Sequence, residues 1–209
     1  MKDLTGIFGL GISGLAAFEL LNKKKGNVVV FDDKLQPTLK LKKFWKHYES
    51  WDWHKLNRII ISPGIKISGE NKHPIVKLAQ NHKVKLQNEI ELYFEQNPKS
   101  TIVGITGTNG KSTLASLISH ILSENKIKNT ICGNFGNPAC LVDPLDEDIV
   151  IIELSSFQLV SIPSLKLDFG VITNISNDHL DYHGDFDTYL NTKLRLIEAI
   201  KDNGYLVVN

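Results

Sequence analysis

The octet Thr106-Gly107-Thr108-Asn109-Gly110-Lys111-Ser112-Thr113 constrains this chain more than any other stretch. It lies between a β-branched run, Thr101 to Thr106, and a helical pattern, Lys111 to Ser123. A strand, a glycine-rich loop ending in Lys-Ser and a helix make the arrangement in which successive backbone N–H groups cradle phosphate oxygens. Lys111 then faces β- and γ-phosphate oxygens, and the Ser112 hydroxyl is placed to hold Mg²⁺. Gly107, Thr108, Asn109, Gly110 and Thr113 form the rest of the cradle. The spacing departs from the general pattern at one point. The first glycine of G-x-x-x-x-G-K-[ST] belongs at position 105, where this chain has Ile105, and the nearest glycines are Gly104 and Gly107.

The same alternation of strand and helix runs through the chain. Leu4 to Phe8, Asn27 to Phe31 and Arg58 to Ser62 read as buried strands, with Ser13 to Lys23 as a helix. Ile149 to Leu154, Phe169 to Asn174 and Gly204 to Asn209 read as strands, and Thr188 to Ile200 as a helix. Continuous β-branched runs followed by helical patterns indicate a mainly parallel sheet covered on both faces. The pattern restarts around Asn97-Pro98-Lys99-Ser100, which predicts two domains, 1–97 and 98–209. Gly204 to Asn209 reads as a buried strand with no helix after it, so the second domain is expected to be incomplete at its C-terminal end. The segment from Lys34 to Lys46 reads as solvated surface, with Leu39, Leu41, Phe44 and Trp45 offering an apolar face for a helix or strand to dock.

A second glycine loop, Gly9-Leu10-Gly11-Ile12-Ser13-Gly14, follows the first strand and opens the first helix, with Asp32 and Asp33 at the end of the next strand. Its glycines allow a tight turn and close backbone approach, and the helix N-terminus favours an anionic group. Alone, this loop suits NAD or another phosphorylated ligand. Ser62, Pro63 and Gly64 lie on a loop at the carboxyl end of a strand, where ligands sit in open α/β sheets.

Composition sets outer limits. The 209 residues, 42% hydrophobic and 22% charged, are ordinary for a globular chain. The net charge of +1 offers no overall footprint for nucleic acid. No apolar run approaches the roughly 20 residues of a membrane span, so neither nucleic acid nor membrane is expected as a partner. Cys132 and Cys140 are too few for a disulfide framework and read as core thiols, pointing to a cytoplasmic protein.

Thr106 to Thr113 resembles the ATP-binding loop of the Mur ligase family, ATP-dependent amide-bond-forming enzymes of peptidoglycan precursor synthesis. Gly133-Asn134-Phe135-Gly136 is similar to the family's G-N-x-G segment, and Glu153-Leu-Ser-Ser-Phe-Gln158 to its acidic E-x-S-S-[FY]-Q strand end. Asn174-Ile-Ser-Asn-Asp178-His179-Leu-Asp181 resembles its N-x-x-x-D-H-x-D turn, and Lys193 stands 14 residues beyond His179, where the family places a carbamylated lysine. Gly9 to Gly14, the acidic strand end, Ser62-Pro63-Gly64-Ile65 and Glu89-Ile90-Glu91-Leu92 resemble the member that adds D-glutamate. Asn88 replaces a commoner glycine, and Tyr182 stands where an arginine often follows the turn.

The resemblance implies a Rossmann-like N-terminal domain holding the uridine diphosphate of UDP-N-acetylmuramoyl-L-alanine, then a truncated P-loop (mononucleotide-binding) α/β domain. It implies ATP, D-glutamate and two Mg²⁺ ions, an acyl-phosphate intermediate and a monomer. Lys111, Lys193, His179 and Asn134 are the implied catalytic residues, and Ser112, Glu153, His179 and Lys193 the implied metal ligands. Gly11, Ile12, Ser13, Gly14, Asp32, Asp33, Ser62, Pro63, Gly64, Asn134 and Ser155 are the implied substrate contacts, with the choice between Asp32 and Asp33 open. Family members continue past the region matched here, so this chain alone is expected to show little ADP-forming turnover. The competing expectations are an NAD-dependent oxidoreductase and a non-catalytic UDP-sugar-binding fragment.

Overall fold

A computed structural model describes residues 3–69, 71–146 and 148–209. The chain divides into two compact units, Met1–Glu89 and Ile90–Asn209.

In the first unit, β1 (Leu4–Phe8), β2 (Val28–Phe31), β3 (Leu56–Ile61) and β4 (Lys85–Gln87) form a four-stranded sheet in the order β2-β1-β3-β4. Every pairing in it is parallel. β-Branched runs buried on both faces have nowhere else to go, and Ile7, Val30, Ile59 and Ile60 are accordingly buried. Helix α1 (Ile12–Lys23) turns Ala16, Ala17, Phe18 and Leu21 inward, and α2 (Pro74–Asn81) buries Ile75, Val76 and Ala79. The chain passes from β1 outward to β2 and then to β3 on the other side. The β1–β3 crevice is therefore a topological switch point, flanked by the glycine loop and by Ser62–Gly64.

The lysine-rich segment lies at the surface, as expected, without forming a regular element. Turns rather than a docked helix carry it across the surface, with Trp45 bridging Val30 and Leu41 buried, while Leu39 is 92% exposed. Its lysines leave too narrow an apolar stripe to hold a regular element.

Helix α3 (Glu89–Phe94) begins at the division, and its Ile90 and Tyr93 belong to the core of the second unit. That packing sets the division at Glu89, ahead of the Asn97-Pro98 turn that punctuates the sequence. The second sheet holds β5 (Thr101–Thr106), β6 (Asn129–Gly133), β7 (Ile149–Glu153), β8 (Leu167–Ile172) and β9 (Ile200–Val208), ordered β6-β7-β5-β8-β9 and again parallel. Helices α4 (Lys111–Glu124), α5 (Ser156–Leu159), α6 (Leu180–His183) and α7 (Phe186–Glu198) complete it. The expectation of a buried final strand is corrected: β9 is an edge strand, with Tyr205 67% and Val207 60% exposed. Its β-branched run mimics a central strand, but only β8 pairs with it among the described residues. Cys132 and Cys140 are buried thiols outside any disulfide, as expected. Among the described residues no helix is long and apolar enough to cross a membrane.

Candidate active site

Register brings the carboxyl ends of the second sheet together. Ile105 lies beside Glu153, Glu153 beside Gly133, and Thr106 beside Ile172. The four loops that leave these strands thus share one edge, and they carry most of the residues singled out in this half of the sequence.

The loop after β5 is shaped by its glycines and by a latch. Gly107 has φ +148°, and a Cβ there would lie 2.0 Å from the Thr173 hydroxyl, so only glycine fits. Thr108 N–H donates to the Asn174 carbonyl at 2.8 Å and Asn109 N–H to the Asn174 side chain at 3.0 Å. The Asn174 amide returns a hydrogen bond to the Asn109 carbonyl at 3.0 Å. Thr108 Oγ1 donates to the Ser176 carbonyl at 3.2 Å and lies 2.9 Å from the Tyr189 hydroxyl. These bonds tie the loop to the segment that follows β8. Gly110 caps α4 with no side-chain partner and no acidic residue in the first turn, leaving the helix N–H groups to an anion.

Three assigned residues meet around one carboxylate. Glu153, 1% exposed, accepts Ser112 Oγ–H on Oε2 at 2.6 Å and the Asn134 amide on Oε1 at 2.7 Å. Burial of a carboxylate demands such partners. Lys111 and Lys193 both donate to the Gly107 carbonyl, at 2.9 Å and 2.8 Å, and Lys111 also reaches the Thr108 carbonyl. Lys193 is 2% exposed, and burial first, then the neighbouring Lys111 ammonium, pull its pKa down to about 8, against the opposing Asp178 and Glu153 carboxylates. A buried lysine with a depressed pKa holds a share of neutral, nucleophilic amine near neutral pH.

His179 takes a left-handed conformation at φ +51° and starts α6. Its ring packs against Phe157 at 4.8 Å and near Tyr189 at 6.4 Å, and Lys193 Nζ lies 4.8 Å from that same Tyr189 ring. Tyr189 therefore neighbours both His179 and Lys193, a contact that the sequence does not mark. Its only signal was an aromatic on the α7 stripe. Burial, with Asp178 adding, pushes the Tyr189 hydroxyl above its ordinary pKa while the Thr108 hydrogen bond opposes. Ser155 is engaged elsewhere: it caps α5 in a capping box with Gln158, its hydroxyl 3.0 Å from the Gln158 side-chain oxygen. Tyr182, 4.4 Å from Phe157 ring to ring, fills part of the same wall.

Among the described residues no group of three His, Cys, Asp or Glu side chains is clustered closely enough to hold a metal unaided. Ser112 with Glu153 is nevertheless a hard-oxygen pair beside a phosphate cradle. Mg²⁺ is commonly held this way, by one or two protein oxygens completed by substrate phosphate and water.

In the first unit the glycine loop forms as the sequence indicates. A Cβ on Gly14 would lie 1.9 Å from the Gly9 carbonyl oxygen, so the absence of a side chain lets α1 close on β1. A Cβ on Gly11, by contrast, meets nothing within 4 Å, and Ile12 is 79% exposed. Ser62 Oγ–H donates to the Gly9 carbonyl at 2.9 Å, tying the β3 loop to the β1 loop. The two aspartates divide their tasks. Asp32 accepts Leu10 N–H at 2.6 Å on one oxygen and the N–H groups of Lys34 and Leu35 at 2.8 Å on the other. Burial raises its pKa, but these backbone donors and the Lys34 charge outweigh that and leave it below the ordinary value. Asp32 is thereby a brace for the loop, while Asp33 is 40% exposed and pairs with His73 at 3.0 Å.

Residues 105–209 match the Mur ligase middle domain. UDP-N-acetylmuramoylalanine–D-glutamate ligase of Wolbachia pipientis wMel is 38% identical over 199 residues, covering 92% of this chain and 38% of that protein. The protein of the same name from Rickettsia bellii (strain RML369-C) is 34% identical over 213 residues, covering 100% of this chain and 46% of that protein. The chain thus spans less than half the length of these curated relatives. Two solved structures share the fold. The UDP-N-acetylmuramate:L-alanyl-gamma-D-glutamyl-meso-diaminopimelate ligase of Neisseria meningitides has a TM-score of 0.61 at 17% identity, covering 100% of this chain and 72% of that one. The UDP-N-acetylmuramate-alanine ligase of Thermotoga maritima has a TM-score of 0.54 at 18% identity, covering 98% of this chain and 48% of that one. With the middle-domain match over its second half and relatives above 30% identity along nearly all of it, the chain belongs to the Mur ligase family.

Proposed function

We propose that this chain supplies the uridine-nucleotide and ATP sites of a cytoplasmic ligase that joins D-glutamate to UDP-N-acetylmuramoyl-L-alanine. The observation that carries the reading is the convergence of Ser112, Asn134 and Glu153 beside the Lys111 cradle at one sheet edge. The names of its relatives supply the substrates. The ligase reaction is proposed for a protein of the relatives' length, to which this chain contributes these two units.

Amide formation requires an activated carboxylate. In the proposed reaction the alanyl carboxylate oxygen attacks the γ-phosphorus of ATP, the bond to ADP breaks, and an acyl phosphate forms. The amine of D-glutamate then attacks the acyl carbon, loses a proton and expels phosphate. The chain's residues answer the resulting charge. Lys111 leaves the Gly107 and Thr108 carbonyls to meet the transferring phosphoryl group, and the α4 N–H groups hold the other phosphate oxygens. Ser112 and Glu153 would hold a Mg²⁺ ion, which supplies charge neutralisation on the phosphates. Asn134 keeps Glu153 oriented, since its amide already occupies one carboxylate oxygen. For His179 and Lys193 as further metal ligands, support comes from the Tyr189 ring that neighbours both of them. The lowered pKa of Lys193 favours the neutral amine that adds CO₂ to become a carbamate, releasing one proton.

Calorimetric titration of the chain with Mg-ATP tests the reading. Saturable binding is expected, weakened about tenfold or more in Glu153→Gln at fixed Mg²⁺, as for one lost contact to a charged group. Absence of nucleotide binding by the unaltered chain would contradict it.

A further inference from the structure

His73 does two jobs with its two ring nitrogens. It is the N-cap of α2, and its Nδ1 accepts the Ile75 backbone N–H at 3.2 Å. A backbone amide can only donate, so Nδ1 carries no proton, and the neutral ring keeps its proton on Nε2. That N–H points at Asp33, with Nε2 3.0 Å from Asp33 Oδ2. The ring cannot easily turn away. It is packed 4.8 Å from Phe8 and 5.7 Å from Tyr48, two buried side chains of the first core, and is itself only 22% exposed.

Asp33 stands at the end of β2 beside the glycine loop, and His73 engages one oxygen while the side chain remains 40% exposed. Burial first, then the Glu49 and Asp33 carboxylates, raise the Tyr48 hydroxyl above its ordinary pKa, which places the Asp33 charge against this aromatic wall. The neighbouring Asp32 has both oxygens committed to backbone N–H groups. Of the two acidic residues at this strand end, Asp33 is the more open to a ligand, because Asp32 already accepts three backbone N–H groups while Asp33 stays 40% exposed. An acidic side chain at this place in a βαβ unit accepts hydrogen bonds from a nucleoside hydroxyl.

We infer that His73 is a positioning residue for the uridine nucleotide: the α2 N-terminus fixes its tautomer, its Nε2–H fixes the Asp33 carboxylate, and Asp33 receives the nucleoside. The inference rests on the uridine-nucleotide reading of the first unit proposed above. It also makes Asp33, not Asp32, the carboxylate that touches ligand.

The two nitrogens can be separated by substitution. Asparagine reproduces the Nδ1 acceptor and is itself a good N-cap, but it does not reach Asp33; glutamine reaches toward Asp33 with an N–H but caps poorly. Titrating the 209-residue chain with uridine 5′-diphosphate, alongside thermal melts, reads both jobs. His73→Asn is expected to keep the α2 cap, to melt lower only by the lost packing of the ring on Phe8 and Tyr48, and to lose about tenfold in affinity, the scale of one hydrogen bond to a charged group. His73→Gln is expected to melt lower while retaining most of the affinity. In an Asp33→Asn background, His73→Asn should cost no further affinity, because coupled residues fail to add. If the unaltered chain binds uridine diphosphate and His73→Asn binds equally well, the role of His73 is overturned and the uridine reading stands. If the unaltered chain does not bind uridine diphosphate, both are overturned. If His73→Asn loses the same affinity with or without Asp33, the loss is structural and the inference fails.

Discussion

Lys193 is the residue whose chemistry the fold changes most. On the α7 pattern it looks like any other cation of an amphipathic helix, and only its spacing from His179 marked it. The burial that leaves it 2% exposed, with Lys111 as a second cation on the same carbonyl, was not legible in the sequence, because it depends on where the β5 loop returns. The consequence for stability has a definite sign. The unfolded chain keeps this proton up to the ordinary value of 10.5, whereas the folded chain releases it at about 8. Between those limits the unfolded state binds more protons, so this group makes stability rise with pH across that window and is a net cost below it. Lys193→Met is therefore expected to raise the melting temperature at pH 7 in CO₂-free buffer, by about 2–4 °C per kcal/mol relieved in a chain of this size. The advantage should fade as the pH approaches 10.5. Thermal scans at the two pH values check this, and an equal gain at both would show that charge is not the cause. Asp32 is the opposite lesson: its position was legible, its task as a loop brace was not, because three backbone donors claim it only after the loop has closed.

At the scale of elements, β1, β5 and α4 stand where the sequence places them, within a residue or two, because a β-branched run and a phosphate-type loop agree in period and punctuation. β4 and β6 went unread. Lys85-Leu-Gln87 is too short to show an alternation, and Asn129-Thr-Ile-Cys-Gly133 holds few apolar residues and is only partly buried. β9 was read as a strand but assigned the wrong surroundings, since neighbours rather than composition decide whether a strand lies at an edge. The glycine loop before α1 gives a sharper test, because two of its glycines serve different ends. Gly14 has no room for a methyl group, and Gly11 has room and an extended backbone that alanine adopts readily. Gly14→Ala is expected to lower the melting temperature by several degrees, in the range of overpacking at about 1–3 kcal/mol. Gly11→Ala should leave the melting temperature unchanged and weaken uridine diphosphate binding by calorimetry, since the methyl occupies the space a diphosphate would approach. Equal destabilisation by both changes would mean the loop serves packing alone.

Across the whole molecule, a net charge of +1 conceals an uneven division. Residues 1–89 hold 16 Lys and Arg against 8 Asp and Glu, a net +8, and residues 90–209 hold 8 against 15, a net −7, which together restore the +1. The overall balance argued only against a uniformly basic, polyanion-binding surface, and it hid a first unit whose field favours anionic ligands such as a nucleoside diphosphate. That field arises mostly from exposed lysines and is screened beyond about 8 Å at physiological salt, so it aids approach while the loop contacts decide identity. Each unit places a phosphate-type loop at the carboxyl edge of its own parallel sheet. On the proposed function, the first of these loops takes a uridine diphosphate sugar and not a nicotinamide dinucleotide. Thermal denaturation of the unaltered chain with saturating UDP-N-acetylmuramoyl-L-alanine or NADH tests it most directly, because a ligand that binds only the folded state raises the melting temperature. A rise with the uridine nucleotide and none with NADH is the predicted result; a rise with NADH alone would contradict the account.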